Sequence, residues 1–304
     1  MSEVHKYLIV ITGATAVGKT GLTIALSQHL NGVIVSADSR QIYKEMTIGT
    51  AKPTTHEISS GPISLVNHVS VTDSYSASRY EEEALNEIKR IQSIGKMPIL
   101  SGGTGLYIKA VCEGLDNIPL VTQSVSDKIE NDLKTNKEAI LKELESSDPA
   151  SFSIVDKAND RRLIRMIGVT RETGKPFSTF LNQAKTARPF TPIYINLDRP
   201  REELYLRINS RVVAMMDSGL VTEVESLMKF RNNRALDTVG YREIFKYLDG
   251  VIDKDEAIEL IQRNSRRYAK RQMTWNRNQI QAKNFHPDQM EDIKQYLSRI
   301  LHSA

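Results

Sequence analysis

Gly13-Ala-Thr-Ala-Val-Gly-Lys-Thr20 lies between the β-branched apolar run Tyr7-Leu-Ile-Val-Ile-Thr12 and a stretch, Thr20 to Leu30, whose Leu22, Ala25, Leu26 and Leu30 recur at helical spacing. The order is strand, glycine loop, helix. In that setting consecutive backbone N–H groups of Gly13, Ala14, Thr15, Ala16, Val17 and Gly18 can face one phosphate. The helix amino end adds favourable potential, Lys19 adds a point charge, and the Thr20 hydroxyl can ligate Mg2+. The loop specifies a diphosphate or triphosphate, and leaves open whether ATP or another molecule carries it.

Working outward, Gly32-Val-Ile-Val-Ser36, Met97-Pro-Ile-Leu100 and Ile193-Tyr-Ile-Asn-Leu197 read as three more buried strands, each ending in polar or glycine residues. Their alternation with helical stretches predicts an α/β fold, a parallel sheet flanked by helices. Ligands of such sheets bind beyond the carboxyl ends of the strands, so Gly13 to Thr20, Asp38, Gly102 to Gly105 and Asp198 are expected to converge on one crevice. Between Leu115 and Thr191 the composition turns to Lys, Glu, Ser and Asn, with Ile129, Leu133, Ile140, Leu141 and Leu144 at helical spacing. This predicts a helical insertion domain over 115–191, with 1–114 and 192–304 forming the α/β core and its C-terminal helices. From Arg201 the chain reads as helical almost to its end, with breaks at Gly219 and Gly240 and a last helix over Asp288 to Leu301.

Composition narrows the chemistry. With 40% apolar and 26% charged residues in 304, the chain is an ordinary globular protein. It lacks both a bilayer-length apolar run and a leader-like start, so no membrane association and a cytoplasmic location are expected. The single Cys112 excludes an internal disulfide and a cysteine-cluster zinc site. His5, His29, His56, His68, His286 and His302 show no metal-binding spacing. A net charge of +4 identifies no partner, but its distribution is informative. Arg263, Arg266, Arg267, Lys270, Arg271, Arg277 and Lys283 fall in a run with no acidic residue, interleaved with Tyr268 and Trp275. That pattern suits a nucleic-acid backbone with stacking platforms, or simply a solvated helix face. Arg266, Lys270, Trp275 and Arg277 cannot all share one face, so some of them must pack or pair internally.

Three stretches carry a more specific signal: Asp38-Ser-Arg-Gln-Ile-Tyr43 running on to Gly49-Thr-Ala-Lys-Pro53, then Gly102-Gly-Thr-Gly-Leu-Tyr107, then Arg266-Arg-Tyr-Ala-Lys-Arg-Gln-Met-Thr-Trp275. Together with the phosphate loop, Asn159, Arg162, Arg165, Arg211 and Val239-Gly-Tyr-Arg242, they resemble the bacterial tRNA isopentenyltransferase family over nearly the whole chain. The resemblance implies a P-loop NTPase-like core. It also implies transfer of the dimethylallyl group from dimethylallyl diphosphate to the N6 amine of the adenosine 3′ of the anticodon, in tRNAs reading codons that begin with U. By that resemblance Asp38 is the base at the amine, and Lys19, Thr20 with Mg2+, the loop amides and Arg211 hold the diphosphate. Thr104 lies near the reacting amine. Asp38, Ser39, Arg40, Gln41, Thr104, Arg162, Arg165, Arg242, Arg266, Lys270 and Arg271 contact the tRNA anticodon arm.

Blander readings stand beside these. Asp38 could be an N-cap or an outer ligand of magnesium, and Gln41, suited to the paired donor and acceptor of adenine, could be a surface turn residue. Two departures weaken the carry-over in the insertion. Lys157-Ala-Asn-Asp-Arg-Arg162 stands where relatives carry a proline-asparagine pair, and Met166-Ile-Gly-Val169 replaces a more helix-favouring run. The rivals are an adenylate isopentenyltransferase acting on free nucleotide, a small-molecule kinase, and a nonenzymatic RNA-binding protein. The insertion and the basic helix disfavour the first, since a small nucleotide needs neither. The intact phosphate loop disfavours the last. No dimerisation heptad is present, so a monomer is expected.

Overall fold

The structure, a computed structural model, describes residues 6–181 and 187–302. His5 lies outside the described residues. Six parallel strands form one sheet: β1 (Tyr7–Gly13), β2 (Gly32–Ser36), β3 (Ile63–Ser64), β4 (Met97–Ser101), β5 (Thr191–Leu197) and β6 (Lys283–Phe285), in the order β3-β2-β4-β1-β5-β6. The expected parallel α/β sheet is therefore present, with two strands more than the sequence pattern predicts. β3 and β6 have two and three residues, too few to show any periodicity.

The helices are α1 (Lys19–His29), α2 (Thr55–Ser60), α3 (Ala77–Ser93), α4 (Gly105–Glu113), α5 (Gln123–Ser147), α6 (Pro149–Ile154), α7 (Asp160–Thr173), α8 (Arg201–Asp217), α9 (Leu220–Ser226), α10 (Tyr241–Leu248), α11 (Lys254–Gln279) and α12 (Met290–His302). Gly219 and Gly240 do mark breaks, each with positive φ just before a helix. The chain divides into two compact units, Met1–Cys112 with Arg188–Ala304, and Glu113–Ala187.

In the first unit both faces of the sheet are covered, which is why its strands read as continuous apolar runs. Ile9 and Ile11 of β1 pack with Leu22, Leu26, Leu204, Ile208 and Ile293 on one face. Leu8 and Val10, one residue out of phase, pack with Tyr80, Ala84, Ile88 and Ile108 on the other. Each such side chain contributes ~1.5–3 kcal/mol when fully buried. Pro192 is tolerated inside β5 because β6 pairs only from Ile195 onward, leaving the proline on an edge segment. A third cluster joins Ile42, Met46, Val69, Val212, Leu220 and Tyr241 beneath the chain that runs on from β2.

The second unit is helical, and no strand occurs among its described residues. Ile129, Leu133, Ile140 and Leu144 of α5 are buried against Leu163, Met166 and Ile167 of α7. Asn136 breaks α5 with non-helical backbone angles, and its Oδ1 accepts from the Ala139 N–H at 3.1 Å, restarting the helix.

Candidate active site

The carboxyl ends of β1, β2 and β4 meet at one crevice, as strand order requires. β1 sits between β4 and β5, so its loop opens where the chain reverses its direction of winding. Beyond β2, the Ala37 N–H donates to the Ser101 carbonyl at 2.7 Å, and the Thr104 N–H donates to the Ala37 carbonyl at 3.1 Å. This approach is so close that a Cβ on Gly102 would lie 2.1 Å from the Ala37 oxygen, so only glycine fits. The glycines after β4 thus serve contacts within the chain as well as the crevice: a Cβ on Gly103 would strike the Gln272 amide, and one on Gly105 the Trp275 ring.

Asp38 emerges from this packing with one oxygen engaged. Its Oδ1 accepts from the Arg40 and Gln41 N–H groups at 2.9 and 3.3 Å, closing a tight turn, while Oδ2 accepts no hydrogen bond from the described residues. The N-cap-like role and a free carboxylate oxygen coexist on one side chain. Thr104 Oγ1 accepts from the Ser39 N–H at 3.0 Å and donates to Ser39 Oγ at 3.3 Å. Gln41 Nε2 donates to the Thr50 and Ala51 carbonyls, so its amide nitrogen is engaged within the chain.

The phosphate loop is held from outside by arginines and by α11. Lys19 Nζ donates to the Gly13 and Ala14 carbonyls at 2.9 Å each. Burial lowers its pKa to about 8, opposed by the Asp38 charge and reinforced by that of Arg211. Arg211 Nη1 donates to Thr15 Oγ1, Arg207 Nε to the Ala16 carbonyl, and Arg199 Nε to the Val17 carbonyl. Burial also lowers the pKa of Arg211, with Arg207 adding to the effect. Gln272 bridges two loops: its Oε1 accepts from the Thr15 N–H at 2.8 Å and its Nε2 donates to the Gly103 carbonyl at 2.9 Å.

Two cavities adjoin here. One, of about 310 Å³, is polar, walled by Gly18, Lys19, Thr20, Ser101, Gly102 and Arg207. The other, of about 210 Å³, has Ile208, Val212, Met215, Val239 and Ile261 in its wall. Thr15, Asp38, Thr50, Ala51, Arg211 and Tyr268 border both, so the carboxylate stands at their seam. Tyr268 is 38% exposed as a residue, but the pKa of its hydroxyl is raised above the ordinary phenol value, by burial first and by the Asp38 charge second. No cluster of three or more His, Cys, Asp or Glu side chains that could hold a metal occurs among the described residues; the oxygen groups that share the polar cavity with Lys19 are Thr20 and Asp38 among others.

Other expected residues are placed differently. Asp198 lies outside this crevice, bordering a separate hollow with Asn196, Arg201 and Arg277. Arg40, Arg165 and Arg266 have guanidinium groups bound to the Ala235 carbonyl, the Ile118 carbonyl and Asn209 Oδ1. Arg242 pairs with Asp237 at 3.3 Å. Arg162, Lys270 and Arg271 are exposed. Arg199, Arg207 and Gln272 are site residues that the sequence pattern did not single out. For Gln272 a signal existed, since it shares helical spacing with Ala269 and Asn276, and all three are buried.

Comparison with known proteins gives the family. Residues 41–279 match the family model described as IPP transferase. The chain is similar to a Cytophaga hutchinsonii protein named tRNA dimethylallyltransferase, at 42% identity over 98% of each chain. It is also similar to one of the same name from Flavobacterium johnsoniae, at 43% over 89% of this chain and 90% of the other. The full-length tRNA isopentenylpyrophosphate transferase of Bacillus halodurans superposes with a TM-score of 0.72 at 33% identity, covering 98% and 97% of the two chains. A eukaryotic dimethylallyltransferase captured acting on tRNA gives 0.74 at 31%, over 89% and 70%.

Proposed function

This chain belongs to the IPP transferase family, and on that premise we propose that it moves the dimethylallyl group of dimethylallyl diphosphate onto the N6 amine of an adenosine in tRNA. The observation that carries the reading is the seam, bordered by a carboxylate, between a polar cavity and a mixed one that has an apolar side. A substrate with a polyanionic head and a five-carbon tail matches that division: the head meets the phosphate loop, the tail meets Ile208, Val212, Met215, Val239 and Ile261, and the bond to be broken lies near Asp38.

The amine of adenine is a weak nucleophile. As its nitrogen bonds to the allylic carbon, the carbon–oxygen bond to diphosphate breaks, and the amine proton passes to the Asp38 carboxylate and on to solvent. Asp38 is held for this by its turn, which fixes Oδ1 and leaves Oδ2 for the proton. Lys19, Arg211, Arg207 and the loop amides neutralise the charge that develops on the departing diphosphate. Mg2+, held by the Thr20 hydroxyl and phosphate oxygens, would add further positive charge at the same place.

The adenosine is read as the one 3′ of the anticodon in tRNAs reading codons that begin with U. A stacked base cannot enter a crevice of this kind, so it is extruded and read along Asp38 to Gln41, with Thr104 beside the amine. Lys270, Arg271 and Arg162 supply exposed positive charge for the anticodon arm. On this reading the enzyme acts in the cytoplasm as a monomer. No helix among the described residues is long and apolar enough to cross a membrane.

Incubation with Mg2+, labelled dimethylallyl diphosphate and either unmodified tRNA or AMP tests the proposal. Label in tRNA alone supports it. Label in AMP alone moves the chain to free-nucleotide chemistry, and label in neither overturns the prenyl-transfer reading.

A further inference from the structure

Glu223, on the short helix α9, borders neither cavity, yet it gathers an unusual set of donors. Its Oε2 accepts from the Thr47 and Ile48 N–H groups at 3.0 and 2.7 Å, and its Oε1 accepts from the Gly49 N–H at 3.0 Å and the Tyr241 hydroxyl at 2.7 Å. Three successive amides and a phenol thus converge on one carboxylate, in the manner of a backbone anion nest. All four partners donate, so an ionised carboxylate satisfies them and a neutral amide cannot. An NH2 in place of Oε2 would face two N–H donors, and in place of Oε1 it would face the Gly49 N–H even if the Tyr241 hydroxyl turned to accept.

The residues immediately after this nest form the wall of the site. Thr50 and Ala51 border both cavities at the seam, and their carbonyls accept the Gln41 amide protons. Gly49 fits only because it has no side chain: a Cβ there would lie 2.5 Å from the buried Tyr241 ring. The far end of the segment is tied by Lys52, whose Nζ donates to the Tyr43 carbonyl and Asn67 Oδ1 at 2.6 Å each.

We propose that Glu223 is a positioning residue for the transfer reaction, its carboxylate fixing residues 47–49 so that Thr50, Ala51 and Gln41 hold the wall of the reaction seam. The inference rests on the prenyl-transfer reading. The residue acts through the loop and touches neither substrate.

The test uses the full chain with labelled dimethylallyl diphosphate and tRNA, measured well below each variant's melting midpoint and normalised to folded protein. Glu223→Gln is expected to lower kcat/KM for the diphosphate by ~tenfold or more, since hydrogen bonds to a charged group are lost. Tyr241→Phe, which removes one donor of four, should give a smaller loss in the same direction. Gly49→Ala, which displaces the same loop while leaving the carboxylate in place, should reproduce the Glu223→Gln change in both KM and kcat. A purely structural role predicts lower melting midpoints with normal KM and kcat in the folded fraction, and that result overturns the inference. A wild-type chain that fails to prenylate tRNA removes the underlying reading and this inference with it; active wild type with unaltered variants removes this inference alone.

Discussion

Asp38→Asn separates the turn that Asp38 closes from the role of base that the proposed reaction gives it. The asparagine oxygen can still accept from the Arg40 and Gln41 N–H groups, so the turn after β2 survives, while the basic oxygen is gone. Loss of a general base costs ~10²–10⁴-fold in rate, about 3–5 kcal/mol of transition-state stabilisation. Stability should be unchanged. Asp38→Ala loses the turn as well, adding about 1 kcal/mol of destabilisation, of the size of a lost cap, or a drop of ~2–4 °C in melting midpoint. Lys19 supplies a second consequence. The Asp38 charge raises the Lys19 pKa against burial, so without it the ammonium deprotonates below about 8. Single-turnover transfer to tRNA measured at pH 7 isolates the base effect, and the deficit of the asparagine variant should widen between pH 7 and 8.5. The reasoning is refuted if Asp38→Asn keeps more than a tenth of wild-type turnover at pH 7, or if its deficit is the same at both pH values.

The wild-type KM for dimethylallyl diphosphate should rise above about pH 8 as Lys19 loses its proton, and Lys19→Met should flatten that rise. The same lowered pKa means that between about 8 and the ordinary 10.5 the unfolded chain binds more protons than the folded one. The Lys19 contribution to stability therefore grows with pH across that window, measurable as a difference from Lys19→Met in denaturant titrations. Replacing the exposed Arg267, Lys270 and Arg271 with Gln should weaken tRNA binding and reduce the slope of log affinity against log salt by ~2–3, with diphosphate binding unaltered. Gln272→Leu strands the Thr15 N–H and the Gly103 carbonyl, so a loss of ~1–3 kcal/mol in stability and a fall in kcat/KM of tenfold or more are expected in melting and kinetic assays.

The features legible in the sequence are those that contiguous residues decide. The phosphate loop, the carboxylate after β2 and the glycines after β4 occupy short runs, because each comes directly after a strand and its backbone must take one path. Arg207, Gln272 and Glu223 meet their partners across 191, 257 and 174 positions, and no local spacing announces such contacts. Strands β3 and β6 escaped for a different reason: two or three residues cannot show alternation, and Lys283-Asn-Phe285 continues a basic tail. The arginines show the limit of reading charge as surface. Arg165 and Arg266 have a phosphate binder's chemistry, yet here their guanidinium groups anchor a carbonyl and an asparagine of the chain itself.

Helix α11 separates two media. Gln272 and Asn276 are turned inward, Gln272 to the Thr15 N–H at the wall of the reaction chamber and Asn276 to Thr12 and Asn196 behind it, while Arg271 and Arg277, one residue away in each case, meet solvent. A run that reads as one motif is therefore two interleaved alphabets, divided by about a hundred degrees of rotation per residue. On the proposed reading, substitutions on the outer alphabet retune which RNA is welcomed while the chamber keeps its shape, and substitutions on the inner one alter the chemistry for every RNA alike.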